Sequence, residues 1–233
     1  MSGAPLVCPW ERLLGPEPST LDFCEANVCG WVAEPANTWT CMAYVLVGLY
    51  VIARSRRDRG ARSLWPIGAS AIFVGLSSAL YHASRTYQTE VLDWFSMFTF
   101  SQYVLLFAVR RALGLAVRTS LAVYTGMLVA LLALMIPFHH LGVPVFAAQL
   151  VATLAIELRL ARRARERGTP VEYRELRRAL VVFAAALGFW YVDHFRVLCV
   201  PEQHLLHGHA LWHVANSVCF WFMYGFCRQF GQR

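Results

Sequence analysis

The sequence contains no lysine, and all 21 of its basic residues are arginine. Retinal pigments hold their chromophore through a lysine Schiff base, so this absence excludes a rhodopsin-like photoreceptor. Charged residues are also scarce: they make up 15% of the 233 residues, whereas 58% are hydrophobic. That balance is too apolar for an ordinary soluble domain and indicates a membrane protein.

Residues 1–36 lack the basic start and the short apolar stretch of a cleavable signal peptide. Seven apolar runs follow, each close to the roughly 20 residues that span a bilayer. They lie at Asn37–Ala53, Leu64–His82, Val91–Val109, Thr119–Pro137, Val143–Leu160, Ala179–Leu198 and His209–Cys227. The sequence predicts an all-α seven-transmembrane helix bundle over residues 37–228, with an N-terminal tail over 1–36 and a short C-terminal tail over 229–233.

The arginines are distributed unevenly between the two ends of these runs. Eighteen of them fall in the first, third and fifth loops and at the C-terminus, and the exceptions are Arg12, Arg85 and Arg196. Because basic residues stay on the cytoplasmic side of a membrane, the N-terminus is predicted outside and the C-terminus in the cytoplasm. The net charge of +7 therefore reflects the orientation of the protein in the membrane and does not indicate a nucleic-acid partner.

Five polar residues from three of the runs are predicted to lie at one depth in the outer leaflet. His209 and His213 are four residues apart, which places both imidazoles on one face of a helix. Ser78 and His82 have the same spacing near the outer end of the second run, and Asp93 lies early in the third. Ionisable groups inside a membrane face the bundle interior, where they pair with one another or bind something.

Three imidazoles with one position left open are typical of a catalytic zinc site, whose bound water has a pKa of about 7. Asp93 would hold that water, take its proton and later pass it to a leaving group, and Ser78 would hydrogen-bond either the oxyanion or the water. Taken singly, these residues have simpler interpretations: a serine bonded to its own helix, a capping aspartate and an interfacial histidine at His82. Asp193 is predicted either to orient a metal ligand or to pair with Arg196.

Other histidines and the cysteines leave alternatives open. His139 and His140 are typical of a solvated turn, and His204 and His207 are either surface residues or alternative metal ligands. The seven cysteines are an odd number, so they do not all pair within the chain. Those on the predicted outer side, where disulfides are permitted, are Cys24 and Cys199, with Cys8 and Cys29 as competitors for the same bond.

These residues resemble the alkaline ceramidases, members of a seven-helix membrane hydrolase superfamily that includes the adiponectin and progestin receptors. The resemblance covers residues 22 to about 226. It rests on Ser78-x3-His82, on Asp93 eleven residues later, on His209-x3-His213 with Trp212 between them, and on Trp190-x-x-Asp193. It implies a zinc ion bound by the three histidines, Asp93 on the zinc-bound water and Ser78 beside it.

The resemblance implies an intramembrane, zinc-dependent amidase that cleaves ceramide-type lipids into a sphingoid base and a fatty acid, with its active site toward the non-cytoplasmic side. Two alternatives stay open, a receptor-like protein with a structural zinc and a lipid esterase or phospholipase of the same superfamily. The N-terminal tail is similar to the family's calcium site, which implies ligands from Asp22, Phe23 (through its carbonyl), Glu25, Asn27 and Glu34. The resemblance also implies a disulfide between Cys24 and Cys199.

Overall fold

The computed structural model describes residues 8–169 and 171–231, apart from the side chain of His139. Residues 1–7, 232 and 233 of the two predicted tails, including Arg233, and the side chain of His139 therefore lie outside the described residues. The regular elements of the described part are helices, which confirms the all-α class. They are α1 (Pro9–Leu14), α2 (Pro35–Thr40), α3 (Met42–Arg57), α4 (Trp65–Ser84), α5 (Tyr87–Leu113), α6 (Val117–Phe138), α7 (Gly142–Glu166), α8 (Arg174–His194) and α9 (Gly208–Arg228), with 3-10 turns at Arg59–Leu64 and His139–Leu141.

The first predicted run is two helices rather than one. The hydroxyl of Thr40 donates to the Ala36 carbonyl oxygen at 2.8 Å and to that of Asn37 at 3.1 Å. Cys41 Sγ also donates to the Asn37 oxygen, at 3.1 Å. Side chains that bond to nearby backbone carbonyls compete with the regular helix ladder. The regular helix is therefore interrupted at Cys41, between α2 and α3, although the backbone of Cys41 itself stays helical, with φ −59° and ψ −23°.

Five helical segments are long and apolar enough to cross a membrane: Pro35–Arg57, Arg59–Ser84, Tyr87–Leu113, Val117–Phe138 and Gly142–Glu166. Helices α8 and α9 have 21 residues each. They are more polar, because α8 begins with arginines and a glutamate and α9 carries the histidine pair. The apolar outer surface is typical of a helical membrane protein: Leu121 and Val129 of α6 are both 63% exposed.

Glycines bring α3 and α4 into backbone contact. A Cβ atom added to Gly48 would lie 2.6 Å from the carbonyl oxygen of Gly68, and one added to Gly68 would lie 2.6 Å from that of Gly48. A Cβ atom on Gly75 would lie 2.8 Å from the carbonyl oxygen of Cys41. Small residues allow this close approach, which is common between membrane helices. The contact places Cys41 beside the last turns of α4.

Helix α9 begins against the end of α8. A Cβ atom on Gly208 would lie 2.6 Å from the Phe189 carbonyl oxygen and 2.9 Å from Cβ of Asp193. The Asp193 carboxylate accepts bonds from two backbone amides, that of His209 at 2.9 Å and that of Cys24 at 2.8 Å. An acidic group is favourable at a helix N-terminus because the first amides have no partner within the helix. Asp193 therefore holds the first turn of α9 and the tail together.

The N-terminal tail lies across the end of the bundle where α4 ends and α5 and α9 begin. Thr20 donates to the carboxylate of Glu90 through its hydroxyl at 2.6 Å and its amide at 2.7 Å. The Ala33 amide donates to the Ala83 carbonyl oxygen at 2.9 Å. These contacts place residues 17–34 above the helix ends that carry the candidate site.

Two disulfides fasten the tail. Cys24 is bonded to Cys199, with Cα atoms 5.5 Å apart, which confirms the expected pair. Cys8 and Cys29 bond to each other, with Cα atoms 5.2 Å apart. The expectation that these two compete for the first bond is therefore wrong, because the tail folds back on itself and brings them together.

Candidate active site

The structure brings the three candidate histidines together. His82 comes from the last turn of α4, and His209 and His213 come from the first two turns of α9. Their ring centroids are 4.9 Å (82 to 209), 4.9 Å (82 to 213) and 4.5 Å (209 to 213) apart. Nε2 of His82 lies 3.2 Å from Nε2 of His209. Two nitrogens bound to one tetrahedral zinc ion at about 2.0–2.1 Å would be roughly 3.3 Å apart, so this pair fits a shared ion.

The other ring nitrogen of two of these histidines is already engaged. Nδ1 of His82 lies 2.6 Å from Oε2 of Glu34, and Nδ1 of His213 lies 3.1 Å from the hydroxyl of Thr40. A carboxylate that accepts a hydrogen bond from Nδ1 fixes the tautomer of the ring. The lone pair of Nε2 is then available to bind a metal. Nδ1 of His209 is buried and has no hydrogen-bond partner among the described residues.

In two groups of three side chains, the donor atoms all lie close enough to one another to share an ion. Cys41, His82 and His213 bring a sulfur and two ring nitrogens within 4.8 Å of one another. Thiolates and imidazoles both suit zinc, so Cys41 is a possible ligand in place of His209. The second group combines Cys24 and Asp193 with His207. It does not fit a metal, because the sulfur is in a disulfide and both carboxylate oxygens accept backbone bonds.

Ser78 and Asp93 form a second polar pair. The Ser78 hydroxyl donates to Oδ1 of Asp93 in a short hydrogen bond. Ser78 is one turn before His82 on α4, and Asp93 lies in the second turn of α5. Both residues line the same cavity as His209 and His213.

That cavity has a volume of about 300 Å³ and is lined mostly by apolar and aromatic side chains. Its lining includes the aromatic residues Trp94, Phe146, Phe183, Trp190 and Trp212. Along α9 the lining runs from His209 to Met223, which is roughly 21 Å of helix axis at 1.5 Å per residue. The cavity is therefore long and apolar, with the histidines and the Ser78–Asp93 pair at one end.

The sequence pattern of the ceramidase family matches residues 15–230. This chain belongs to the ceramidase family. An alkaline ceramidase of Saccharomyces cerevisiae, YPC1, is 24% identical to this chain over 242 aligned residues, which cover 89% of this chain and 75% of the yeast protein. Family membership supports hydrolysis of the ceramide amide bond and a lipid substrate.

The two named residues of the Trp190-x-x-Asp193 feature have different surroundings. Trp190 lines the cavity and stacks on His194, with ring centroids 4.6 Å apart. Asp193 is buried and binds the amide of His209 rather than its ring. The side chain of Arg196 is exposed, and the Asp193 oxygens accept bonds from backbone amides instead of pairing with it. Orientation of a metal ligand by Asp193 stays a prediction, and the contact that would serve it is the one with the backbone of His209. Trp212 is buried beside the cavity, edge-on to Phe183.

The five expected calcium ligands contact different partners. The Glu25 carboxylate accepts bonds from the amides of Ala36 and Asn37 at 2.8 and 2.9 Å and lies 3.0 Å from Nδ1 of His204. Glu34 binds His82, and burial raises the pKa of Glu34 to about 7. Asp22 and Asn27 are exposed. The ring of Phe23 stacks on His209 with centroids 3.7 Å apart, and the calcium role of its carbonyl stays a prediction.

Several contacts of the histidines were not predicted from the sequence. Thr40 and Cys41 border His213, and the Phe23 ring covers His209. No spacing in the sequence indicates these contacts, because each joins the tail or α2 to a helix far along the chain. Glu34 was singled out as a calcium ligand, but its contact with His82 was not predicted.

Proposed function

We propose that this protein is a zinc-dependent amidase that cleaves ceramide into a sphingoid base and a free fatty acid. The observation that carries the proposal is the 3.2 Å approach of Nε2 of His82 to Nε2 of His209. His213 lies beside them, and all of this is at the polar end of a long apolar cavity. The family match supports ceramide as the substrate class.

The proposed zinc ligands are His82, His209 and His213. Three neutral imidazoles leave one position of a tetrahedral ion for solvent or substrate, which is the arrangement of catalytic zinc sites. A zinc ion held there would supply positive charge that polarises the amide carbonyl and makes a nearby water more acidic. Glu34 and Thr40 would orient the rings through their Nδ1 atoms.

Asp93 is proposed as the group that moves the proton. It would accept a proton from the attacking water and return it to the amide nitrogen, because the sphingoid base must leave as an amine rather than as its anion. The Ser78 hydroxyl, which donates to Oδ1 of Asp93, would hold the carboxylate in one rotamer. Once Asp93 carries the proton of the water, the single hydroxyl proton of Ser78 would turn from Asp93 to the oxygen on which negative charge develops.

The cavity would bind the hydrocarbon of the substrate and exclude bulk water. Its aromatic walls offer no partner to a charged headgroup, whereas a long acyl or sphingoid chain would bury apolar surface worth about 25 cal/mol per Å². Ceramide places its amide at the end of two such chains. A substrate of this shape would set its scissile bond beside the histidines while its chain fills the cavity.

We also propose the full topology predicted from the arginines: seven spans, formed by α2 with α3 and by α4 to α9, with the N-terminus outside. It is supported by the position of the arginine-rich segments at the end of the bundle opposite the histidines. The tail and its two disulfides would then face a compartment that permits disulfides.

A lipid-hydrolysis panel tests the proposed function. Purified protein is incubated with a long-chain ceramide or a diacyl phospholipid, and released fatty acid is measured before chelation, after chelation and after zinc is restored. We expect release from ceramide that is lost on chelation and recovered with zinc. Release from the phospholipid alone would favour an esterase, and bound zinc without any hydrolysis would favour the receptor-like alternative.

Glutamine in place of Glu34 is expected to weaken zinc binding about 10–100-fold. The side chain of glutamine lacks the negative charge that holds Nδ1 of His82 at 2.6 Å. The imidazole ring is therefore less well oriented, and its Nε2 binds zinc less strongly. Zinc affinity is measured by competition with a coloured chelator. Glu90→Gln is the matched control, since Glu90 is a buried acid at the same end of the bundle whose oxygens bind Thr20. Equal zinc affinity in both variants would argue against the role of Glu34.

Alanine in place of Gly142 is expected to raise KM for long-chain ceramide by about tenfold. A Cβ atom there would lie 2.3 Å from the Trp94 ring, and relieving such overpacking costs about 1–3 kcal/mol. Trp94 lines the cavity next to Asp93, so its displacement narrows the cavity where the chain enters. Gly126→Ala is the control, because a Cβ atom on Gly126 has no neighbour within 4 Å. An unchanged KM for Gly142→Ala would show that the bound substrate does not contact the side of the cavity formed by Trp94.

A further inference from the structure

Arg85 is a buried cation where the N-terminal tail meets α4. Its side chain is 6% exposed, and it caps the helix three residues after His82. Its backbone is left-handed, with φ 54°, a conformation that residues other than glycine rarely adopt. Local preference does not favour this geometry, so contacts elsewhere in the fold must hold Arg85 in place.

The guanidinium gathers oxygen atoms from the tail. Nε lies 3.1 Å from Oε1 of Glu34, and Nη2 lies 3.5 Å from Oδ1 of Asp22. Nη2 also donates to the carbonyl oxygen of Leu21 in a short hydrogen bond. The planar group lies over the Phe23 ring, 5.3 Å from its centroid. One cation thus contacts two carboxylates and a backbone carbonyl from residues 21–34.

Two of these oxygens belong to the residues expected to bind calcium, Asp22 and Glu34. A third expected ligand, Glu25, has both carboxylate oxygens on the first amides of α2. Calcium needs six to eight oxygen ligands at 2.3–2.6 Å. With Glu34 facing a guanidinium and Glu25 capping a helix, the tail does not offer a convergent set of free oxygens. The donor set fits an internal cation better than a divalent ion.

We infer that Arg85 serves as a built-in cation that fastens the tail over the candidate site, in the place where the expectation put a calcium ion. The guanidinium supplies the permanent positive charge beside the buried Glu34 carboxylate, which also contacts Nδ1 of His82 and the side-chain amide of Asn37. Its planar face also supports Phe23, which covers His209. A side chain of the protein therefore holds the tail over the candidate site, and no divalent ion is needed for this.

Calcium binding and thermal unfolding test this inference. The natural sequence, Arg85→Leu and Arg196→Leu are purified with calcium at roughly 1 mM, a concentration at which weak calcium modules are occupied. Unbound ion is removed, and bound calcium is counted by elemental analysis. Arg196 is the matched control because it also has a positive φ, of 52°, but its side chain is exposed.

The natural sequence is expected to retain no stoichiometric calcium and to unfold at the same temperature with and without the ion. Arg85→Leu is expected to unfold roughly 10 °C lower, since the buried carboxylate of Glu34 loses its cation, whereas Arg196→Leu stays close to the natural sequence. If Arg85→Leu does not fold, the double variant Arg85→Leu/Glu34→Gln, which removes both charges, replaces it and is expected to recover part of the loss.

One calcium ion per chain in the natural protein, or a rise in its unfolding temperature on adding calcium, would overturn the inference. So would equal unfolding temperatures for Arg85→Leu and Arg196→Leu. None of these measurements uses ceramide or zinc, so a negative result here would leave the proposed hydrolase function standing.

Discussion

Replacement of His209 by alanine is expected to leave the purified protein without zinc and to slow ceramide hydrolysis by at least ~10³-fold, since several kcal/mol of transition-state stabilisation depend on the ion. His209 provides one of the two ring nitrogens that approach within 3.2 Å. Only two imidazoles would remain, and two imidazoles do not complete a catalytic zinc site. Zinc content by elemental analysis and fatty-acid release from ceramide check this result.

His204→Ala is the matched control for His209→Ala. His204 lies in the loop just before α9, five residues from His209. It is partly exposed and pairs with Glu25 rather than with the other imidazoles. We expect it to keep its zinc and most of its activity. Full zinc content in His209→Ala would show that the ion uses a different donor set, of which Cys41, His82 and His213 is the alternative that the structure offers.

Asparagine in place of Asp93 is expected to lower kcat about 10²–10⁴-fold while zinc content stays unchanged, because a positioned general base or acid contributes about that much. The amide is nearly the same size and still accepts the bond from Ser78, but it does not take a proton from water. The measurement is kcat for ceramide hydrolysis alongside zinc content and unfolding temperature.

Ser96→Ala is the control that distinguishes the role of the Asp93 carboxylate from that of the Asp93 backbone. The Ser96 hydroxyl donates to the backbone carbonyl oxygen of Asp93 at 2.7 Å, so its loss changes the local helix and leaves the carboxylate intact. We expect an effect on kcat far smaller than that of Asp93→Asn. Near-normal turnover in Asp93→Asn would remove Asp93 from the mechanism and would leave proton transfer to solvent or to another group.

The sequence predicted those features of the site that follow from periodicity along a helix. His209 and His213 share a face because they are four residues apart, and Ser78 precedes His82 by one turn for the same reason. The common depth of these residues and Asp93 followed from counting along the apolar runs. The helical class and the Cys24–Cys199 bond were likewise predicted and are confirmed.

The contacts that the sequence did not predict join parts of the chain that have no fixed spacing. Glu34 lies 48 residues before His82, and Cys41 lies 172 residues before His213. The folding of residues 17–34 across the helix ends brings Glu34 to His82, and the close packing of α3 on α4 positions Cys41. Arg85 belongs with them: in the sequence it is one of three arginines outside the basic loops, and its ion pair with Glu34 depends on the course of the tail.

The proposed function requires that three imidazoles, from His82, His209 and His213, hold one zinc ion. X-ray absorption at the zinc edge of the purified protein tests it directly, because nitrogen and sulfur ligands differ in distance and in scattering. We expect nitrogen and oxygen scatterers at about 2.0–2.1 Å, with the outer-shell signal of three imidazoles. A sulfur scatterer at about 2.3 Å would place Cys41 on the metal and contradict the three-histidine site.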